Sequence, residues 1–138
     1  MENQLVYPMA TYVFYIGVLI IYNLIIRVRA VKSGEVDGRF FKTFQGDCPE
    51  RLHKVTRHVD NQFQLPPLFM LTCIAHMVVG GVNSFAINIA WFFVASRGLH
   101  TYLHLGRNHP LQRASAYALG WTAVLLLWIS IFLTVSGV

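Results

Sequence analysis

The stretch YPMATYVFYIGVLIIYNLII, residues 7–26, decides the fold class. It holds 20 residues of nearly unbroken apolar and aromatic character, and a helix rising about 1.5 Å per residue over that length covers roughly 30 Å, the thickness of a bilayer's hydrocarbon core. It reads as a spanning helix. The start, Met-Glu-Asn-Gln, lacks a basic region and no small-residue cleavage site follows the apolar run, so the run is expected to stay in the mature protein. Three more apolar runs follow, at 63–79, 84–105 and 114–135. The second carries Pro66-Pro67 and is expected to kink; Gly80-Gly81-Val82-Asn83 reads as a turn into the third, and the fourth has no charged residue. The expectation is an all-α membrane protein, a single domain over residues 1–138 built as a four-helix transmembrane bundle.

Composition agrees with lipid as the main solvent. In 138 residues, 55% are hydrophobic and 12% charged. A net charge of +5 by itself suits a nucleic-acid binder, but no Asp, Glu, Lys or Arg lies between Phe63 and Arg97, and the basic residues sit in short blocks between apolar runs. That distribution excludes nucleic acid as a partner. All 11 Lys and Arg fall in 27–57 or 97–113, around the first and third connections, so the positive-inside rule puts both connections in the cytoplasm and both termini outside. Arg39-Phe40-Phe41-Lys42, in the first connection, is placed in the headgroup layer. Cys48 and Cys73 are too few for a disulfide scaffold and read as free thiols.

Polar residues recur at helical spacing inside these runs. Glu50, His53, Lys54, Arg57, Asp60, Asn61 and Gln64 step by threes and fours, and so do Arg97, His100, Thr101 and His104, then Arg113, Tyr117, Gly120 and Trp121. Each set is expected to point a polar face into the bundle. Ionisable groups within spans line bundle interiors or watery cavities. Structural readings compete with functional ones: Arg27, Arg29, Lys32, Arg51 and Lys54 as topology anchors, Asn61 and Gln64 as interhelical glue, His76 as a packing residue, Asp60 as the acceptor for Arg97. His100 and His104 at i and i+4 suit a metal or a haem, but the best further ligands, His58 and Asp60, sit among basic residues that disfavour a cation, so no metal is expected. A cluster of arginines among amides, Tyr and His fits a small polyanion with amide groups, and an apolar co-substrate can enter from lipid. Glutathione with a lipophilic electrophile meets both requirements.

Two stretches, Arg57-His58-Val59-Asp60-Asn61-Gln62-Phe63-Gln64-Leu65-Pro66 and Arg97-Gly98-Leu99-His100-Thr101-Tyr102-Leu103-His104-Leu105-Gly106, followed by Arg113 and Tyr117, resemble the MAPEG family, the membrane-associated proteins of eicosanoid and glutathione metabolism. The chain looks most like the family's bacterial, little-characterised branch, which implies a bacterial inner membrane. The resemblance runs over nearly the whole chain. It implies a homotrimer that binds glutathione between protomers near the cytoplasmic side. By it, Arg113 and Tyr117 are the catalytic pair, and Arg27, Arg57, Asn61, Gln64, Arg97, His100 and His104 hold the glutathione. Departures are equally specific: Gln64 stands where the family's Asn-x-x-Glu motif has Glu, Asp60 where active members often have Arg, His104 where they have Tyr, and Ala114 where the prostaglandin E synthase branch has Ser. The implied activity is a glutathione-dependent transferase or peroxidase acting on a lipophilic electrophile. The alternative is a non-catalytic lipid-binding or scaffold protein of the same fold.

The topology is directly testable. Cysteines introduced at positions 35 and 109 are expected to resist a membrane-impermeant thiol reagent applied to intact cells and to react after permeabilisation; labelling before permeabilisation would overturn the orientation.

Overall fold

The computed structural model describes residues 3–44, 46–106 and 109–137. These form helices α1 (Val6–Lys32), α2 (Phe40–Thr43), α3 (Glu50–Asn61), α4 (Leu65–Val78), α5 (Ser84–Leu105) and α6 (Pro110–Ser136), and no strand occurs among them. Two of the helices, α1 and α6, are long and apolar enough to cross a membrane. The expected turn is present: Gly80 takes a left-handed φ of 68°, and the Asn83 side chain accepts the Ala86 N–H at 2.9 Å, capping α5. Part of the third connection, Arg107 and Asn108, lies outside the described residues.

Three boundaries differ from the sequence reading. Helix α1 runs past Ile26 to Lys32, because nothing between them breaks a helix; it stops where Gly34 adopts φ 74°. Arg27 and Arg29 therefore lie within α1 rather than ending it. The run 63–79 is interrupted instead of kinked: α3 ends at Asn61, and α4 begins at Leu65 with both prolines in its first turn, where an N–H has no helical partner to lose. Helix α4 has 14 residues, roughly 21 Å of rise. Helix α6 begins at Pro110, not Ala114, for the same reason of first-turn tolerance.

The polar seam of α3 also points the other way. Glu50, His53, Arg57, Asp60 and Gln64 are exposed on the single chain, whereas Leu52, Val55, His58, Val59 and Gln62 are buried. The apolar stripe won the inward position, since burying it removes more hydrocarbon from water than the polar face can repay. Through the interruption the buried seam keeps a regular alternation of three and four residues: Leu52, Val55, Val59, Gln62, Pro66, Phe69, Cys73, His76.

Two cores follow. The larger joins α1, α4, α5 and α6 through Tyr12, Phe69 and Phe93, with Phe69 and Phe93 stacked at 4.0 Å and Tyr12 edge-on to Phe93 at 5.7 Å. Ala86, Ala90, Ala123 and Gly120 are fully or nearly fully buried, and these small side chains let α5 and α6 approach closely. The smaller core, Ala30, Val36, Phe40 and Leu52, ties α2 and the first connection to α1 and α3. Within the segment expected in the headgroup layer, Phe40 is buried against protein, packed with Leu52 and its neighbours. Beside this core Arg51 grips Glu35 through both carboxylate oxygens, at 2.8 and 2.7 Å, which holds the Glu35 carboxyl below its ordinary range. That contact operates above the ordinary carboxylate range and is lost as pH falls through the lowered value. Cys48 and Cys73 are both free; partial burial raises the Cys48 thiol pKa.

Gly81 is the tightest point of the far end. A Cβ there would lie 2.9 Å from Thr134 Oγ1 and 3.2 Å from His76 Nδ1. Gly81→Ala is expected to cost about 1–3 kcal/mol through overpacking, read as a lower melting temperature in detergent. Adding Thr134→Ala should recover most of the loss.

Candidate functional site

A cleft of about 370 Å³ opens where the end of α3, the start of α4, α5 and the start of α6 meet; Asn61, Gln64, His100, Pro110, Arg113, Ala114 and Tyr117 line it. The interruption between α3 and α4 creates it: Asn61 is the last residue of one helix and Gln64 the residue preceding the other. Pro110 starts α6 so that Arg113 and Tyr117, one turn apart, both face the opening. Five of the nine site residues expected from sequence, namely Asn61, Gln64, His100, Arg113 and Tyr117, are thus gathered in one place.

The other four are placed differently. Arg97 and His104 are buried, behind the cleft rather than on its wall. Arg57 is exposed on α3 one turn before Asn61. Arg27 lies on α1, donating to Thr56 Oγ1 at 3.2 Å, with its guanidinium 5.3 and 5.4 Å from the Phe41 and Phe44 ring centroids. Neither Arg27 nor Arg57 lines the cleft of the single chain.

Behind the wall lies a polar network that the sequence reading did not find. Gln62 Oε1 accepts from Tyr12 Oη at 2.6 Å and from Arg97 at 3.3 Å, while its Nε2 donates to the His58 carbonyl at 3.1 Å. His58 Nε2 is 2.7 Å from Thr101 Oγ1, which also bonds Tyr15 and donates to the Arg97 carbonyl at 3.0 Å. The available signal was the apolar stripe Leu52, Val55, Val59, whose continuation brings His58 and Gln62 inside. Arg97 is fully buried; its acceptor is Gln62, and its guanidinium lies 5.5 Å from the Tyr117 ring centroid. Asp60, the acceptor expected from sequence, is exposed on another face of α3 and forms no ion pair with it.

The histidines tie network to cleft. The rings of His58, His100 and His104 lie 4.9 to 5.6 Å apart, and His100 contacts the Tyr117 ring at 5.9 Å. His100 Nδ1 is 3.2 Å from the Arg113 carbonyl oxygen; a carbonyl only accepts, so Nδ1 carries the proton and Nε2 is left as an acceptor. Among the described residues no group of His, Cys, Asp and Glu is arranged to hold a metal ion. Chemically, the wall offers a guanidinium, a phenol, an imidazole and two amides, a set suited to an anionic, amide-bearing ligand.

The MAPEG family model matches residues 7–133. The chain belongs to the MAPEG family. No curated protein and no solved structure matches it. MAPEG proteins are integral membrane proteins, so the exposed apolar residues of α1 and α6, Phe14, Val18, Ile21, Leu125, Ile129 and Phe132 among them, belong in a membrane environment. In this MAPEG chain the buried cation of α5 rests on one amide oxygen.

That dependence sets a graded test. Tyr12→Phe removes one of two bonds to Gln62 Oε1 and should cost about 0.5–1.5 kcal/mol. Gln62→Leu strips the acceptor from a buried guanidinium and should cost more, about 3 kcal/mol, in detergent melting of purified protein. Equal losses in the two variants would show that Gln62 does not carry the network.

Proposed function

We propose that this MAPEG protein is a membrane-embedded glutathione-dependent transferase or peroxidase acting on a lipophilic electrophile, a reading consistent with a family that includes glutathione transferases and peroxidases. The observation that carries it is the convergence of Asn61, Gln64, His100, Arg113 and Tyr117 on one cleft. In this reading glutathione is a co-substrate. Free thiols are mostly protonated at neutral pH, and the Arg113 guanidinium favours the thiolate, with the Tyr117 hydroxyl donating to the sulfur. The thiolate sulfur then attacks the electrophile, which arrives from the lipid side: in a transfer the carbon–sulfur bond forms as the leaving group departs with its electron pair, and in a peroxide reduction the O–O bond breaks and a second glutathione completes the disulfide.

The assembly proposed with it is a single domain of four spans, 7–26, 63–79, 84–105 and 114–135, forming a homotrimer with both termini outside and the first and third connections in the cytoplasm. The outward polar face of α3 supports the trimer, because exposed Arg57 and Asp60 suit a partner or water better than hydrocarbon. Arg27 and Arg57, absent from the single-chain cleft, are then glutathione ligands completed across the protomer interface. Arg97 and His104 act from behind the wall.

A specific observation favours a second reading, a non-catalytic lipid-binding or scaffold protein. Gln64 lines the cleft as an amide where the family motif has a carboxylate, so a ligand's ammonium group meets no anion there. One titration series separates the two. In the enzyme reading, glutathione binds saturably by isothermal titration and shows extra thiolate ultraviolet absorbance at neutral pH. Arg113→Ala abolishes the absorbance with modest loss of binding, Arg57→Ala or Arg27→Ala weakens binding by roughly 1.5–3 kcal/mol, and Gln64→Glu tightens it. No saturable binding in the native protein or the Gln64→Glu variant would make the lipid-binding reading the better one. Native mass spectrometry from mild detergent is expected to give a trimer; a monomer would count against the shared site.

A further inference from the structure

A second cavity, about 290 Å³, lies between α1, α3 and α5 at the basic end of the molecule and shares no residue with the cleft. Its polar wall is Arg29, Arg51 and Lys54; its apolar wall includes Tyr22, Ile26 and Leu105. Three cations in one small space repel each other unless anions compensate them. Two acids do so unequally. Glu35 accepts two hydrogen bonds from Arg51 and one from Ser33 Oγ, while Glu50 meets Lys54 at 3.2 Å with 82% of its side chain exposed, a weak surface pair one turn apart. No described acid forms an ion pair with Arg29. The cavity therefore retains positive charge, at Arg29 and Lys54.

The shape adds the second half of the ligand. Val18, Tyr22 and Ile26 step by four along α1 and end at Arg29, so an apolar stripe runs down the helix into the charged cavity. Val18 and Tyr22 are 66% and 44% exposed. A soluble phosphate has no use for that stripe; a phospholipid needs both parts, a phosphodiester between cations and an acyl chain along apolar side chains. The cavity is large enough for a headgroup and too small for a whole lipid.

We propose that this cavity is a binding site for one anionic phospholipid per protomer, its phosphate held by Arg29 and Lys54 and its acyl chain laid on Ile26, Tyr22 and Val18. The site is independent of glutathione binding. It differs from general attraction of basic residues to an anionic surface by being local.

The test uses full-length protein in nanodiscs of equal phosphatidylglycerol and phosphatidylcholine, released into a native mass spectrometer. The native protein should retain about one phosphatidylglycerol per protomer; no preference for it would overturn the proposal. Arg29→Gln with Lys54→Gln should lower retention by at least about fivefold per charge removed. Arg39→Gln with Lys42→Gln, which removes two exposed cations elsewhere, should not. Equal loss in both pairs would mean delocalised surface attraction and would overturn the site. Arg113→Ala should leave retention unchanged. Displacement by inorganic phosphate or glycerophosphoglycerol as effective as by short-chain phosphatidylglycerol would identify a soluble phosphate as the ligand and overturn the lipid assignment. Where the charge variants do not fold, brominated phosphatidylglycerol should quench a Leu105→Trp variant more than brominated phosphatidylcholine does, and equal quenching would likewise overturn the proposal.

Discussion

A guanidinium buried within a helical bundle must find an acceptor, and here one amide oxygen supplies it. Gln62 Oε1 receives Arg97 from α5 and Tyr12 from α1, and Gln62 itself sits at the end of α3. Three helices are thereby registered against each other at a single atom. Removing it would leave a charge without compensation in a region where water is scarce, so the geometry on either side of it is tightly specified. Tyr117, whose ring faces Arg97, inherits its position from this arrangement, and with it one wall of the cleft.

The cleft forms where the helix breaks. The break leaves the helical phase unchanged, so Gln62 stays on the buried stripe while Asn61 and Gln64 line the opening. The paired prolines sit at the only place in α4 where they cost nothing in hydrogen bonding.

How much of this was legible in the sequence depends on which force set each feature. Ser84–Leu105 was read to the residue, because an Asn-capped start and a run of uniform periodicity leave little choice. That Asn61, Gln64, His100, Arg113 and Tyr117 share one cleft is in keeping with the spacing and family pattern that singled them out as candidates. The inward face of α3 was not, since charge was assumed to seek the bundle interior when hydrocarbon burial held the stronger claim on it. Gln62 escaped notice, and His58 was weighed only as a metal ligand, because both share a stripe with Leu52, Val55 and Val59, and the partners of a polar residue on an apolar stripe are known only once the other helices are placed. Arg97 was singled out as a cation that needs an acceptor, and the acceptor is Gln62 and not Asp60, which lies on the exposed side of the helix.

The outward stripe of α3 and α4 records a change of surroundings. It reads Glu50, His53, Arg57, Asp60, Gln64, then Leu68, Leu71, Ile74 and Val78, all exposed on the single chain. The phase of the stripe is unbroken, but its chemistry switches from polar to apolar between Gln64 and Leu68. Asn61 and Gln64 stand at that switch. In the proposed reading, a molecule dissolved in water and one dissolved in lipid each reach the same opening from its own phase.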